Sequence, residues 1–150
     1  MARLTPPRSK LLIAILVFGV IGLIVAGYTT YVHYFPAAQV CKEGGTFNCT
    51  AVQTSQWSEV AGIPVALMGL IGYLLLLGSL LVRGELGRAA GFAIALIGFL
   101  FSMYLTAREV FSIKSLCWEC LISALCMTVL MVLMGIRFWR TPAAVSTTAS

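Results

Sequence analysis

Four long apolar runs decide what this chain can fold into. They cover residues 11–31, 63–82, 89–105 and 116–138. Each approaches the ~20 residues that carry a helix across ~30 Å of hydrocarbon at ~1.5 Å per residue. The chain is 60% hydrophobic and 10% charged over 150 residues, whereas soluble domains carry about 25% charged residues. A core of this size cannot hide so much apolar surface, so a lipid bilayer must cover much of it. The first run exceeds the ~7–15 apolar residues of a signal peptide, so it is expected to stay as a helix. The expected architecture is all-α: an integral membrane four-helix bundle over residues 11–138. A cytoplasmic segment, 1–10, precedes it, and a tail, 139–150, expected to be disordered, follows.

Charge orients the bundle. Arg3, Arg8 and Lys10 precede the first run, Arg83 and Arg88 lie between the second and third, and Arg137 and Arg140 follow the fourth, with Glu85 the one acid among them. The opposite connections hold Lys42, Arg108 and Lys114 against Glu43, Glu59, Glu109 and Glu119. By the positive-inside rule the first set is cytoplasmic and both termini point inward. This distribution accounts for the net charge of +5, which leaves nothing to suggest nucleic-acid binding.

The first outer segment, 32–62, is long for a connection in so small a protein, and such loops tend to carry function. Gly44-Gly45 supplies a turn in it, and residues 51–60 suit a short interfacial helix with Val52, Trp57 and Val60 toward lipid. The inner connection, 83–88, is short enough to make spans two and three antiparallel neighbours. Gly62, Gly69 and Gly72 near span two and Gly91, Ala95 and Gly98 in span three recur at near-helical spacing. They read mainly as sites of close helix approach, with room for one glycine to admit a flat ligand instead.

Four of the five cysteines belong to the outer side: Cys41 and Cys49 in the long loop, and Cys117 and Cys120 where span four begins. That side is a compartment in which disulfides persist. Cys117-Trp118-Glu119-Cys120 places two thiols three residues apart, on one face if a helix has begun. Ser115 is a candidate N-cap for that helix, and the free N–H groups of a first turn favour an anion that Glu119 would oppose. Two thiol pairs on one face suit a relay in which a thiolate attacks a disulfide sulfur. Two static bridges, or a zinc site of four thiolates, would use the same residues, although C-x7-C is wider than the usual spacing of about two to four residues in structural zinc sites. Four cysteines allow three pairings. Cys126 reads as an inert buried thiol, His33 as an interfacial polar residue, and Asn48-Cys49-Thr50 as a chance glycosylation sequon.

In this order the elements resemble the vitamin K epoxide reductase family. They are Cys41-x7-Cys49 after the first span, Ser55 six residues later, and Gly62-Ile63-Pro64-Val65-Ala66-Leu67-Met68-Gly69 opening the second. Phe101-Ser102-Met103-Tyr104 then ends the third, and Cys117-Trp118-Glu119-Cys120 opens the fourth. The likeness covers residues 11–137. It implies a quinone reductase coupled to thiol oxidation, with Cys117 and Cys120 as the active pair and Cys41 and Cys49 as the shuttle pair. Ser55, Cys120, Val65 and Ala124 would border the quinone, of ubiquinone, menaquinone or phylloquinone type, and no metal is implied. Val65 and Ala124 stand where vertebrate members carry asparagine and tyrosine. The resemblance therefore points to the bacterial branch, which oxidises a thioredoxin-like, DsbA-like partner at the extracytoplasmic face of the cell membrane. Only about a dozen residues follow the last span, so that partner is expected to be a separate chain. The reverse order of the two pairs argues against a DsbB-type enzyme.

Overall fold

The computed structural model describes residues 8–38, 48, 51–52 and 54–140. Four helices make up most of it: α1 (Arg8–Tyr34), α2 (Val65–Ser79), α3 (Glu85–Arg108) and α4 (Trp118–Trp139). α4 packs on α1 and α3, and α2 packs on the same two helices, which closes a four-helix ring. The start of α1, the end of α2 and the end of α4 meet at one end of the bundle, where Leu11, Ile15, Leu76, Leu130 and Met134 are all buried. Outward-facing residues such as Ile24, Leu81 and Leu125 are apolar and more than 60% exposed, a surface that only lipid can cover. The protein is a multi-pass membrane protein.

Hydroxyls within the helices are satisfied locally. Thr29 and Thr30 donate to the carbonyls of Val25 and Ala26 at 2.8 and 2.7 Å, and Thr128 donates to that of Ala124 at 2.8 Å. Back-bonding of this kind lets a polar side chain sit in lipid without a partner helix.

Two of the four spans, α1 and α3, are longer as helices than their apolar runs, α4 nearly matches its run, and α2 is shorter. α1 begins at Arg8, inside the segment assigned to the N-terminus, and α3 runs on into a π-helical turn, Glu109–Ile113. Lys114, at φ 56°, then breaks the helix. α2 has only 15 residues, about 22 Å of helix, because Pro64 caps its start in an extended conformation and cannot continue a helical hydrogen-bond ladder backward. The missing length is made up by a two-stranded hairpin of β1 (Glu59–Val60) and β2 (Ile63–Pro64), with Glu59 opposite Pro64 and Val60 opposite Ile63. Ala61 and Gly62 turn the hairpin with φ 54° and 81°, the positive pair that a tight two-residue hairpin demands.

The expected interfacial helix over 51–60 is not continuous. Ala51 and Val52 are helical, Gln56–Ser58 form a single 3-10 turn, and Val60 is in β1. Val52 does not face lipid: it is buried against Cys117. The tail from 141, the segment 1–7, Cys41 and Cys49 lie outside the described residues.

The two sets of glycines serve different ends. A Cβ at Gly98 would meet the Met127 side chain, and one at Gly91 would meet Ser79 Oγ at 2.7 Å and Met134 Sδ at 3.3 Å. Gly22 of α1, outside both sets, lets the Tyr73 ring lie directly on its backbone. Gly69 and Gly72, in contrast, have nothing within 4 Å of a built Cβ. They face open space inside the half of the ring where α4 starts.

Candidate active site: a thiol pair beside an apolar cavity

That open space is a cavity of about 460 Å³ bounded by all four helices and the 3-10 turn. Its wall is mostly apolar, with Val65, Gly69 and Gly72 from α2, Ile97 and Phe101 from α3, and Ala124 and Met127 from α4. Its size is in the range of small-molecule sites. Toward the bundle centre it ends at Tyr73, whose hydroxyl donates to the Ser123 carbonyl at 2.7 Å.

Cys120 opens onto this cavity, and Cys117 does not. The pair is set by the start of α4. Cys117, in an extended conformation, is the N-cap, and its sulfur accepts the Cys120 N–H at 3.4 Å. The reactive-type residue thus takes the place assigned to Ser115, because the break at Lys114 leaves residues 114–117 outside any helix and α4 starts only at Trp118. Cys117 is fully buried, packed against Val52, Ile113 and Cys120. Its sulfur lies 3.7 Å from Glu119 Oε2.

Glu109 was read from the sequence as one more outer charge. The structure buries it to 4% exposure. One carboxylate oxygen accepts the Cys117 N–H at 3.2 Å, which sets the carboxylate beside the thiol pair. The carboxylate also lines the cavity. The available signal was position: an acid directly at the end of an apolar run is a functional candidate.

The loop before α2 forms the rim. Ser55 lines the cavity, and its hydroxyl donates to the Val52 carbonyl at 2.7 Å. Trp57 is half-buried, and the Arg108 guanidinium lies 4.1 Å above its ring and 5.1 Å from that of Tyr104. This cation–π stack fastens the turn to the end of α3. His33 Nε2 meets Glu59 Oε1 at 3.2 Å and so ties α1 to β1. Ser55, Val65, Cys120 and Ala124, which are far apart in sequence, therefore share one cavity. Cys126 is buried in α4.

Two of the loop's connections matter for the pair. Asn48 donates its backbone N–H to the Leu116 carbonyl at 3.1 Å, and its side chain accepts the Ala51 N–H at 2.9 Å. The residue before Cys49 is therefore pinned to the residue before Cys117.

Together these features define a polytopic membrane protein with a thiol pair at the edge of an apolar cavity. The Vitamin K epoxide reductase family model matches residues 13–134, most of the chain and every described part of this site, and the chain belongs to that family. It is accordingly a membrane oxidoreductase of a quinone-linked class.

Proposed function

We propose that the protein couples oxidation of a thioredoxin-like, DsbA-like partner to reduction of a membrane quinone, and so drives disulfide formation on the extracytoplasmic side of a cell membrane. Residues 11–138 make up the working unit. The partner's dithiol reduces the Cys41–Cys49 disulfide and becomes a disulfide itself. Cys49 next attacks the Cys117–Cys120 disulfide at Cys117 Sγ, and Cys41 resolves the mixed disulfide. Cys117 and Cys120, now reduced, re-form their S–S bond as two electrons and two protons pass to the quinone.

The observation that carries this reading is the division of the pair. Cys120 faces the cavity, while Cys117 faces the loop side under Val52, next to the Asn48–Leu116 hydrogen bond. That division suits a small apolar acceptor at one thiol and a thiol arriving from the loop at the other. Ser55, Val65 and Ala124 would border the quinone. A cavity so poor in polar groups favours a simple quinone ring over an epoxide that needs specific donors. The orientation rests on the basic residues gathered at the end opposite the cysteines.

Cys49→Ala separates the steps. It should stop electron flow from a DsbA-like dithiol to quinone while leaving turnover with dithiothreitol, a small dithiol that does not depend on the shuttle pair. Unchanged turnover with both donors would sink the relay, and no quinone reduction by the unaltered protein with either donor would sink the activity itself.

A further inference from the structure

Beside the active-site pair lies a buried carboxylate that the electron path does not use, and its setting is costly. Glu109 is 4% exposed, and among the described residues it forms no ion pair, the neighbouring Arg108 being held between Trp57 and Tyr104. A buried carboxylate without a counter-charge is destabilising unless hydrogen bonds compensate. The Cys117 N–H supplies one at 3.2 Å, and Cys120 lines the same cavity as the carboxylate. The π-helical turn holds it there, since the N–H groups of Lys114 and Ser115 both return to the Glu109 carbonyl.

We propose that Glu109 is a catalytic proton carrier between the Cys120 thiol and the molecule reduced in the cavity. The inference rests on the quinone-reducing reading above and adds a residue to it. Glu109 as carboxylate accepts the Cys120 S–H proton while the Cys117–Cys120 bond forms, and as carboxylic acid it returns that proton to one quinone oxygen. The Cys117 proton leaves by Glu119, whose oxygen lies 3.7 Å from that sulfur, and the second quinone oxygen takes one proton back from solvent. Two S–H bonds break, one S–S bond forms, and the quinone gains two electrons and two protons.

Other ionisable groups lie around the same space and belong in any pH profile. Cys120 and Glu119 from the start of α4, Tyr73 from α2, His33 from α1 and Arg108 from α3 line the cavity, while Cys117 meets the carboxylate through its N–H, Glu59 pairs with His33, and Lys114 closes the π-helical turn.

A merely structural Glu109 would serve as acceptor for the Cys117 N–H, and Glu109→Gln keeps that acceptor. The substitution therefore distinguishes the two roles. With the full chain in lipid vesicles, pre-reduced and mixed with a short-chain ubiquinone, Glu109→Gln should slow single-turnover quinone reduction by about 10²-fold, the lower end of general acid–base effects. It should also remove the fall in rate that the unaltered protein shows as the carboxylate is protonated on acidification. Glu109→Asp should keep a measurable share of the rate and keep the acid limb. A second readout needs no quinone: N-ethylmaleimide labelling of Cys120, followed by peptide mass. With a neighbouring negative charge gone, Cys120 of Glu109→Gln should label as fast as, or faster than, the unaltered protein at a given pH. A thiol more reactive to reagent yet slower toward quinone is the expected signature. A Glu109→Gln rate and pH profile equal to those of the unaltered protein overturn the proposal. If that variant does not fold, the unaltered protein decides: an acid limb with slower turnover in D2O supports the carrier, and a rate indifferent to both overturns it. Failure of the unaltered protein to reduce any quinone is a different result, which removes the function proposed above.

Discussion

The two halves of the bundle are built from the same four helices and nearly the same residue types, yet one half is full and the other is hollow. At the end where α1 starts, Ile15, Leu76, Leu130 and Met134 leave no exposed surface. At the end where α4 starts, the helices surround about 460 Å³ of space. The difference lies in what faces each glycine. Methionines fill the gaps that Gly91 and Gly98 leave, whereas Gly69 and Gly72 face across the ring with no large side chain opposite. Close packing supplies stability at one end, and the void supplies a site at the other.

Substitutions can test that division, and the largest effect belongs to the hollow half. Cys120→Ala should lower quinone-linked turnover by at least about 10³-fold, as removal of an essential covalent participant does, with little change in thermal unfolding. Quinone absorbance and a melting curve on the same sample measure both; near-normal turnover would detach the cavity from the chemistry. Next, Gly22→Val should do the reverse. Its Cβ would collide with the Tyr73 ring, and overpacking of this sort costs about 1–3 kcal/mol, read as a lower melting temperature in detergent.

Gly69→Leu sharpens the comparison because it adds bulk where there is none to displace. It should leave the melting temperature alone and raise the quinone KM roughly tenfold, equivalent to about 1.4 kcal/mol. A loss of stability instead would mean that α2 packs there after all. Arg108→Ala removes the stack over Trp57, worth about 0.5–1 kcal/mol, so a two- to fivefold rise in the same KM is the expected result. The smallest change should come from Cys126→Ala, buried in α4 and not among the residues that line the cavity: turnover within about twofold of normal and a stability loss of about 1 kcal/mol.

Much of this molecule could be read before folding was considered. Length and hydropathy were sufficient for four membrane helices, because a span is a local property of about 20 residues and lipid imposes the same demand at each. The order of the motifs was sufficient for the family, which the match over residues 13–134 establishes. Local rules failed where a neighbour intervened. Ser115 has the right chemistry for an N-cap, but Lys114 adopts a left-handed conformation and α4 begins after Cys117. Val52 looked lipid-facing because hydrophobicity does not say which apolar surface a residue meets, and here it meets Cys117.

Glu109 marks the boundary most sharply. By itself the sequence determined that an acid follows the third span and that two cysteines open the fourth, since composition and spacing are properties of the chain. Only the tertiary structure decided that the acid turns inward to the Cys117 backbone and to the cavity that Cys120 lines, because its direction depends on a π-helical turn and on how α3 meets α4. The same holds for the cavity. Each glycine is visible in the sequence, but emptiness is a relation between facing helices, and no single helix contains it.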